Sequence, residues 1–189
     1  MAEENNVHVK VAMADVLALF AISMFTFAVA GFGLGGDTDW TLLTLVGKIG
    51  PIVATVCLIA TVAAFLNENL LGTAIFGPLA VFFTTITATG MGMNESSWLC
   101  ILIGIIILID AIVAFAQPVK LLPILLIVAA IAFFVTALFY NGMITGDDGL
   151  RMIVGVLWMV YSLISFYMAA AIMLLVMKGK QVLPLMIKA

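Results

Sequence analysis

The stretch from Trp98 to Ala116, WLCILIGIIILIDAIVAFA, decides the fold of this chain. It is apolar throughout apart from one carboxylate, that of Asp110. A helix needs about 20 apolar residues to cross the hydrocarbon core of a bilayer, whereas a buried strand has about 4–8 residues. The stretch therefore predicts a transmembrane helix.

Five other segments share this length and apolar character. The six predicted helices span 12–34, 41–66, 70–92, 98–116, 121–143 and 150–177. Short polar gaps separate them, so neighbouring helices are expected to pack as antiparallel hairpins. We therefore predict an all-α membrane protein, a six-transmembrane-helix bundle of three hairpins, in which residues 1–189 form a single transmembrane domain.

The composition favours lipid as the solvent for this bundle. Hydrophobic residues make up 66% of the chain, charged residues only 9%, and the mean hydropathy is +1.34. A soluble domain is about half apolar and a quarter charged. The net charge of −3 includes no basic patch that would predict nucleic-acid binding. The single histidine, His8, and the separated Cys57 and Cys100 match no metal, disulfide or catalytic pattern, so we expect no enzyme, metal or cofactor.

The basic residues predict the orientation of the chain in the membrane. With the N-terminus inside, the cytoplasmic segments hold Lys10, Lys120, Lys178, Lys180 and Lys188. The opposite side holds Arg151 among several acids. Because cytoplasmic loops are enriched in Lys and Arg, both termini are expected in the cytoplasm of a multi-pass plasma-membrane protein.

Three ionisable residues fall within the predicted spans, namely Asp15, Lys48 and Asp110. Such residues are costly in lipid and are expected to face a cavity, a pore or a partner. Asp15 lies near the cytoplasmic end, where solvent is an alternative partner. Lys48 and Asp110 are expected roughly 12 Å and 18 Å below the outer interface, at 1.5 Å per residue. They form either a structural ion pair or a pair that handles protons or anions, unless Lys48 reaches the interface instead.

The second predicted helix carries a polar stripe at steps of three and four residues. Its members are Thr41, Thr44, Lys48, Pro51 and Thr55, which share one helix face. The stripe predicts either a water-lined inward face or hydrogen bonds between helices. On the first reading, Thr44, Lys48 and Thr55 are candidates for lining a pore and setting its selectivity.

Two local patterns resemble the acetate uptake transporter family, the succinate–acetate permeases. The C-terminal run 179–184, GKQVLP, resembles the family's Gly-basic-x-Val-Leu-Pro ending and follows a Tyr167-x-Ala169 pattern. The run 69–72, NLLG, leads to further phenylalanines and resembles the family's Asn-Thr-Phe-Gly segment before helix 3. The family has six helices, about this chain length and cytoplasmic termini, and it usually forms hexamers with one pore per protomer.

The resemblance also implies site residues. The family's pore constriction falls at Phe20, Leu79 and Ile131, and a helix 6 position that tunes substrate size falls at Ser165. Two departures stand out: residues 12–15, AMAD, replace the family's Asn-Pro-Ala-Pro, and Leu79 lacks the hydroxyl of the family's tyrosine.

The resemblance implies a permease or channel for acetate or a similar small monocarboxylate, either passive or proton-coupled. One alternative is a channel for small neutral solutes such as urea or ammonia. Another is a non-transporting subunit of a membrane complex. The expected partners are a small-molecule substrate, membrane lipids and further copies of the chain in a homo-oligomer.

Overall fold

The computed structural model describes residues 2–35, 41–88, 91–145 and 149–185, and the side chains of 2–14, 41–43 and 143–145 lie outside this description. These ranges contain six helices, which are α1 (Ala2–Leu34), α2 (Thr41–Leu66), α3 (Leu70–Ile86), α4 (Met93–Ala114), α5 (Leu121–Thr145) and α6 (Arg151–Lys178). The predicted all-α, six-helix fold is confirmed.

Five of the helices are long and apolar enough to cross a membrane. These stretches are Asp15–Leu34, Thr44–Leu66, Met93–Ala114, Leu121–Gly142 and Arg151–Lys178. α3 is apolar as well but has 17 residues. At 1.5 Å per residue it extends roughly 26 Å, so it is the shortest wall of the bundle.

The third and fourth helices meet at a different point from the predicted one. α3 ends at Ile86 although the sequence predicted residue 92, and α4 begins at Met93 rather than at residue 98. Polar residues read as a loop instead form the first turn of α4, where Glu95 lies at the positive end of the helix dipole.

The six helices form a closed ring. Each helix packs against the helices before and after it in the chain, and α6 returns to pack against α1. The most extensive contacts join α1 with α6, α4 with α5, and α2 with α3. This ring surrounds a central axis, along which the interior cavities lie. We name its two ends after Arg151, where α6 begins, and Asn69, which precedes α3.

The contact between α1 and α6 is made backbone to backbone. A Cβ placed on Gly33 would lie 2.5 Å from the Gly155 Cα, so neither position has room for a side chain. Further along the pair, the Ser162 hydroxyl donates to the Ser23 carbonyl at 2.9 Å. Small residues and hydroxyls of this kind let membrane helices approach closely and hold them together.

Beyond α6 the chain turns back along the helix it has left. Gly179 ends the helix with a φ of +62°, a left-handed conformation that glycine adopts without steric cost. The Tyr167 hydroxyl then donates to the Pro184 carbonyl at 2.9 Å, and Leu185 is fully buried. This contact joins the two C-terminal patterns on which the sequence resemblance rests.

Replacing Gly33 with Ala should destabilise the bundle, because the added Cβ would overlap backbone atoms of α6. Overpacking of this kind costs about 1–3 kcal/mol. We expect a lower melting temperature for Gly33→Ala in detergent, measured by circular dichroism. Gly47→Ala is the matched control, since a Cβ there meets no atom within 4 Å. Equal melting of Gly33→Ala and wild type would contradict the close contact.

Candidate functional site

Three cavities follow one another along the axis of the ring. The largest, the Arg151 vestibule, has a volume of 280 Å³ and lies toward the Arg151 end. The Asn69 vestibule has a volume of 200 Å³ and lies toward the opposite end. A cavity of 10 Å³, which we call the neck, lies between them.

The neck shares part of its wall with each vestibule, so the three cavities form one line through the protomer. It shares Thr26, Phe83, Phe133 and Trp158 with the Arg151 vestibule, and Ile22, Leu126 and Tyr161 with the Asn69 vestibule.

Aromatic rings and aliphatic side chains form the wall of the neck. Leu79 of α3 lies there and is 3% exposed. The Trp158 indole N–H donates to the Thr136 hydroxyl at 2.9 Å, which fixes the ring plane. Phe133 meets Trp158 edge to face with centroids 4.9 Å apart, and Tyr161 does so at 5.6 Å. These contacts hold the narrow, mostly apolar neck in one geometry.

Arg151 places a positive charge in the wall of the larger vestibule. Its Nε and Nη2 donate to the Phe32 carbonyl at 3.2 Å and 2.9 Å. The guanidinium also lies 4.5 Å from the centroid of the Phe32 ring. That carbonyl is in the last turn of α1, where the negative end of the helix dipole lies, so the cation stabilises this end of the helix.

The Asn69 vestibule is apolar apart from a few polar side chains, among them Asp15, Asn69 and Gln117. The Asn69 Oδ1 accepts from the Gly72 N–H at 3.0 Å and caps α3. Its Nδ2 donates to Asp15 Oδ2 at 3.5 Å. Asp15 Oδ1 is buried and accepts no hydrogen bond from any residue that the structure describes.

The predicted constriction of Phe20, Leu79 and Ile131 needs correction, because the three do not meet inside the protomer. Leu79 lies in the neck, but Ile131 is 47% exposed on the outer surface of α5. Phe20 is half-buried, with its ring 6.1 Å from that of Phe166, and lines none of the three cavities. Ala129 lines the neck from α5. Ile131 lies two residues after Ala129, and side chains two positions apart on a helix point to opposite sides, so Ile131 faces outward.

The hydroxyl of Ser165 holds two helices together. Ser165 is fully buried and lines none of the three cavities. Its hydroxyl donates to the Leu19 carbonyl of α1 at 3.3 Å.

The described members of the polar stripe of α2 face outward, contrary to its interpretation as a pore wall, and the side chain of Thr41 lies outside the description. Thr44, Lys48 and Thr55 are all exposed on the protomer surface. The Thr55 hydroxyl donates to the carbonyl of Pro51 one turn earlier. The face that packs inward carries apolar or small residues instead, including Val46, Gly50, Val53, Cys57, Ala60 and Ala64.

Lys48 and Asp110 do not form the expected pair among the described residues. Lys48 is exposed, whereas Asp110 is 6% exposed and its Oδ2 has no described partner. Asp110 lies four residues before the end of α4, and Lys48 lies seven residues after the start of α2. Because α4 packs mainly on α5 and α3, the two side chains lie in different parts of the bundle.

Several residues of the neck were missed by reasoning from sequence. Phe133, Trp158 and Tyr161 lie on apolar helices, where aromatic residues also face lipid, so no pattern separated them. Thr26 carried one signal, since a hydroxyl within an apolar span is more common at helix contacts than toward lipid.

Comparison with known proteins reveals a relationship of fold. The fold is similar to that of the bacterial acetate channel SatP. The TM-score is 0.79, and the match covers 91% of this chain and 97% of that chain, with 16% sequence identity. The sequence matches no protein-family model and no curated protein. The fold implied by the resemblance to acetate transporters is thus confirmed, and with five membrane-spanning stretches the chain is a multi-pass membrane protein.

Asn69→Ala should lower the stability of the bundle, because it removes the N-terminal cap of α3 and a hydrogen-bond donor to Asp15. Loss of such a cap typically costs about 1 kcal/mol. Thermal melting in detergent measures this effect. Asn67→Ala is the control, since the Asn67 amide donates to the Ala63 carbonyl one turn earlier in the same region. Equal melting of the two variants would exclude a capping role for Asn69.

Proposed function

We propose that the chain is a channel or permease for acetate or a similar small monocarboxylate. The observation that carries the proposal is the line of two vestibules joined by an apolar neck within one protomer. The similarity of the fold to that of an acetate channel supports it. A solute of a few heavy atoms suits a passage whose narrowest part is this small.

The apolar neck favours solutes that lose their water easily. A hydrophobic constriction hinders hydrated ions by dewetting and passes small uncharged or transiently neutralised solutes. The Arg151 vestibule would collect carboxylates, because its wall holds a positive charge. The hydroxyls of Thr26, Thr87 and Ser96 in the same wall already donate to backbone carbonyls, so towards a solute they act as hydrogen-bond acceptors and suit its protonated, uncharged form.

A channel for small neutral solutes, such as urea or ammonia, is the second candidate. It is favoured by the carboxyl of Asp15 in the Asn69 vestibule, which repels an anion when it is ionised. A non-transporting subunit has less support. Hydroxyls that only join helices, such as those of Ser162 and Ser165, fit a non-transporting subunit. Such a subunit gives no reason for the connected cavities.

We also propose the orientation and the assembly. Lys120, Lys178 and Lys180 lie at the Asn69 end, so by the positive-inside rule this end and both termini face the cytoplasm of a plasma-membrane protein. The exposed Lys48 on α2 supports a homo-oligomer, a hexamer by resemblance, because a cation is better accommodated between protomers than in lipid.

Uptake by purified protein in liposomes tests the proposed function. We expect labelled acetate to enter faster than in protein-free liposomes and faster than labelled urea. The reverse order would favour the neutral-solute channel. Uptake of neither solute would favour the non-transporting subunit.

The same assay tests the passage itself. Leu79→Ala should widen the neck, and we expect uptake of a longer monocarboxylate such as butyrate to rise several-fold relative to acetate. Ile131→Ala is the matched control, because it shortens a side chain that is 47% exposed on the outer surface. A shift in selectivity with Ile131→Ala, or none with Leu79→Ala, would place the passage elsewhere.

Cysteine labelling tests the orientation. In a background where Cys57 and Cys100 are replaced by Ala, Glu95→Cys and Lys120→Cys introduce single thiols at opposite ends of the ring. A membrane-impermeant maleimide added to intact cells should label position 95 and spare position 120. Labelling of position 120 under these conditions would reverse the orientation.

A further inference from the structure

Asp15 occupies a position that packing alone does not account for. It lines the Asn69 vestibule among mostly apolar side chains, and its Oδ1 is buried without a described partner. Its Oδ2 receives only a long hydrogen bond, at 3.5 Å, from Asn69. A buried carboxyl that lacks partners is costly, and such a group in a native structure requires an explanation.

Two carboxyl oxygens share this condition in the described part of the chain, those of Asp15 and Asp110. Asp110 lines none of the three cavities, whereas Asp15 lies in the wall of one of them. For Asp15 the missing partner can therefore be a solute that enters the vestibule. The oxygen lacks a hydrogen-bond donor, so the solute must bring one or share one.

The proposed substrate is itself a carboxylate, so it can meet the need for a hydrogen-bond donor only if a proton is present. Two carboxylates enclosed in one small cavity cannot both remain ionised, since like charges repel strongly where water is scarce. A single proton between them removes the repulsion and supplies the missing donor. The Asn69 amide, which already donates to Asp15 Oδ2, is placed to stabilise the negative charge that remains.

We propose that Asp15 contacts the solute in the Asn69 vestibule and shares one proton with its carboxyl group, so that a monocarboxylate is accepted there only together with a proton. This inference rests on the proposed function and names the residue that sets the protonation state of the substrate. One proton is taken up from solution for each anion bound, and no bond other than the shared hydrogen bond is made or broken.

Few other titratable groups face this site. Among the described residues that line the vestibule, Tyr161 of α6 is the other titratable side chain, and it lies at the neck. Asn69 of α3 and Gln117 before α5 are polar but carry no charge. The nearby Lys120 ammonium is bound to the carbonyls of Phe115 and Gln117. Among the described groups, Asp15 is therefore the one that would share the proton with the solute.

The test is acetate uptake into liposomes as a function of pH, with protein-free liposomes subtracted at each pH. Where Asp15 and free acetate are both ionised, one proton bound with each anion makes uptake at low acetate concentration fall about tenfold per pH unit. Asp15→Asn should flatten this dependence, because an amide donates to an anion at every pH. Asp15→Glu keeps the carboxyl and should keep the slope.

Asp110→Asn is the matched control, since it neutralises the other described carboxyl that has an unpartnered oxygen, and Asp110 lines none of the three cavities. It should retain the wild-type slope, and circular dichroism should show all variants folded. An unchanged slope in Asp15→Asn, or a flattened slope in Asp110→Asn, would overturn the inference. If Asp15→Asn does not fold, loss of the slope in Asp15→Glu overturns it instead. If the wild type takes up no acetate at any pH, the proposed function itself is wrong, and this outcome is distinct from a failure of the Asp15 inference alone.

Discussion

The cavities inside the ring depend on the contact between α1 and α6, because that contact closes the ring. Five of the six packed pairs join helices that follow one another in the chain, and short connections bring such helices together in any case. The sixth pair joins opposite ends of the sequence, at Gly33 and Gly155, where the two backbones touch. Side chains at these positions would force the helices apart and open the wall of the Arg151 vestibule, in which Phe32 and Arg151 lie beside the contact.

Closure of the ring also governs where the polar side chains go. In a bilayer no water satisfies a backbone or side-chain group that faces the hydrocarbon core. The hydroxyls of Ser97 and Ser162 therefore donate to carbonyls of neighbouring helices, at 3.0 Å and 2.9 Å. Groups such as those of Thr26 and Asp15 instead lie where cavities interrupt the packing. Some polar side chains thus hold helices together and others face the cavities, whereas an outward hydroxyl such as that of Thr55 donates to a carbonyl of its own helix.

Hydropathy predicted the number and the positions of the helices well, because spanning a bilayer demands long apolar segments. It predicted poorly which side of each helix faces inward. In a soluble bundle the outer face is polar, so periodicity reveals the core. Here both faces are apolar, as Ala129 in the neck and Ile131 on the surface illustrate. The polar stripe of α2, read as a pore wall because of Thr44 and Lys48, faces outward, and a stripe of small residues packs inward.

Small residues are the better guide to the inside of such a bundle, since membrane helices approach through Gly, Ala and Ser rather than through hydrophobic contrast. The expected ion pair did not predict which helix faces point inward, because Lys48 and Asp110 lie in different parts of the bundle. The candidate site was therefore only half accessible from sequence. Leu79 and Asp15 were singled out and do line the cavities, one through resemblance and one through the cost of a charge in lipid.

The two vestibules differ in charge, so the electrostatic energy of an anion differs between the two ends of the proposed passage. An anion approaching the Arg151 end meets a guanidinium, whereas at the Asn69 end it meets the carboxyl of Asp15. Between them the neck offers few polar groups, so an anion that crosses from the Arg151 end must shed its hydration, whereas a solute that enters from the Asn69 end can be neutralised before it crosses. A proton held at Asp15 lies on the far side of that barrier from Arg151. In the proposed mechanism, attraction and neutralisation are therefore separated by the neck, and each vestibule performs one of the two tasks.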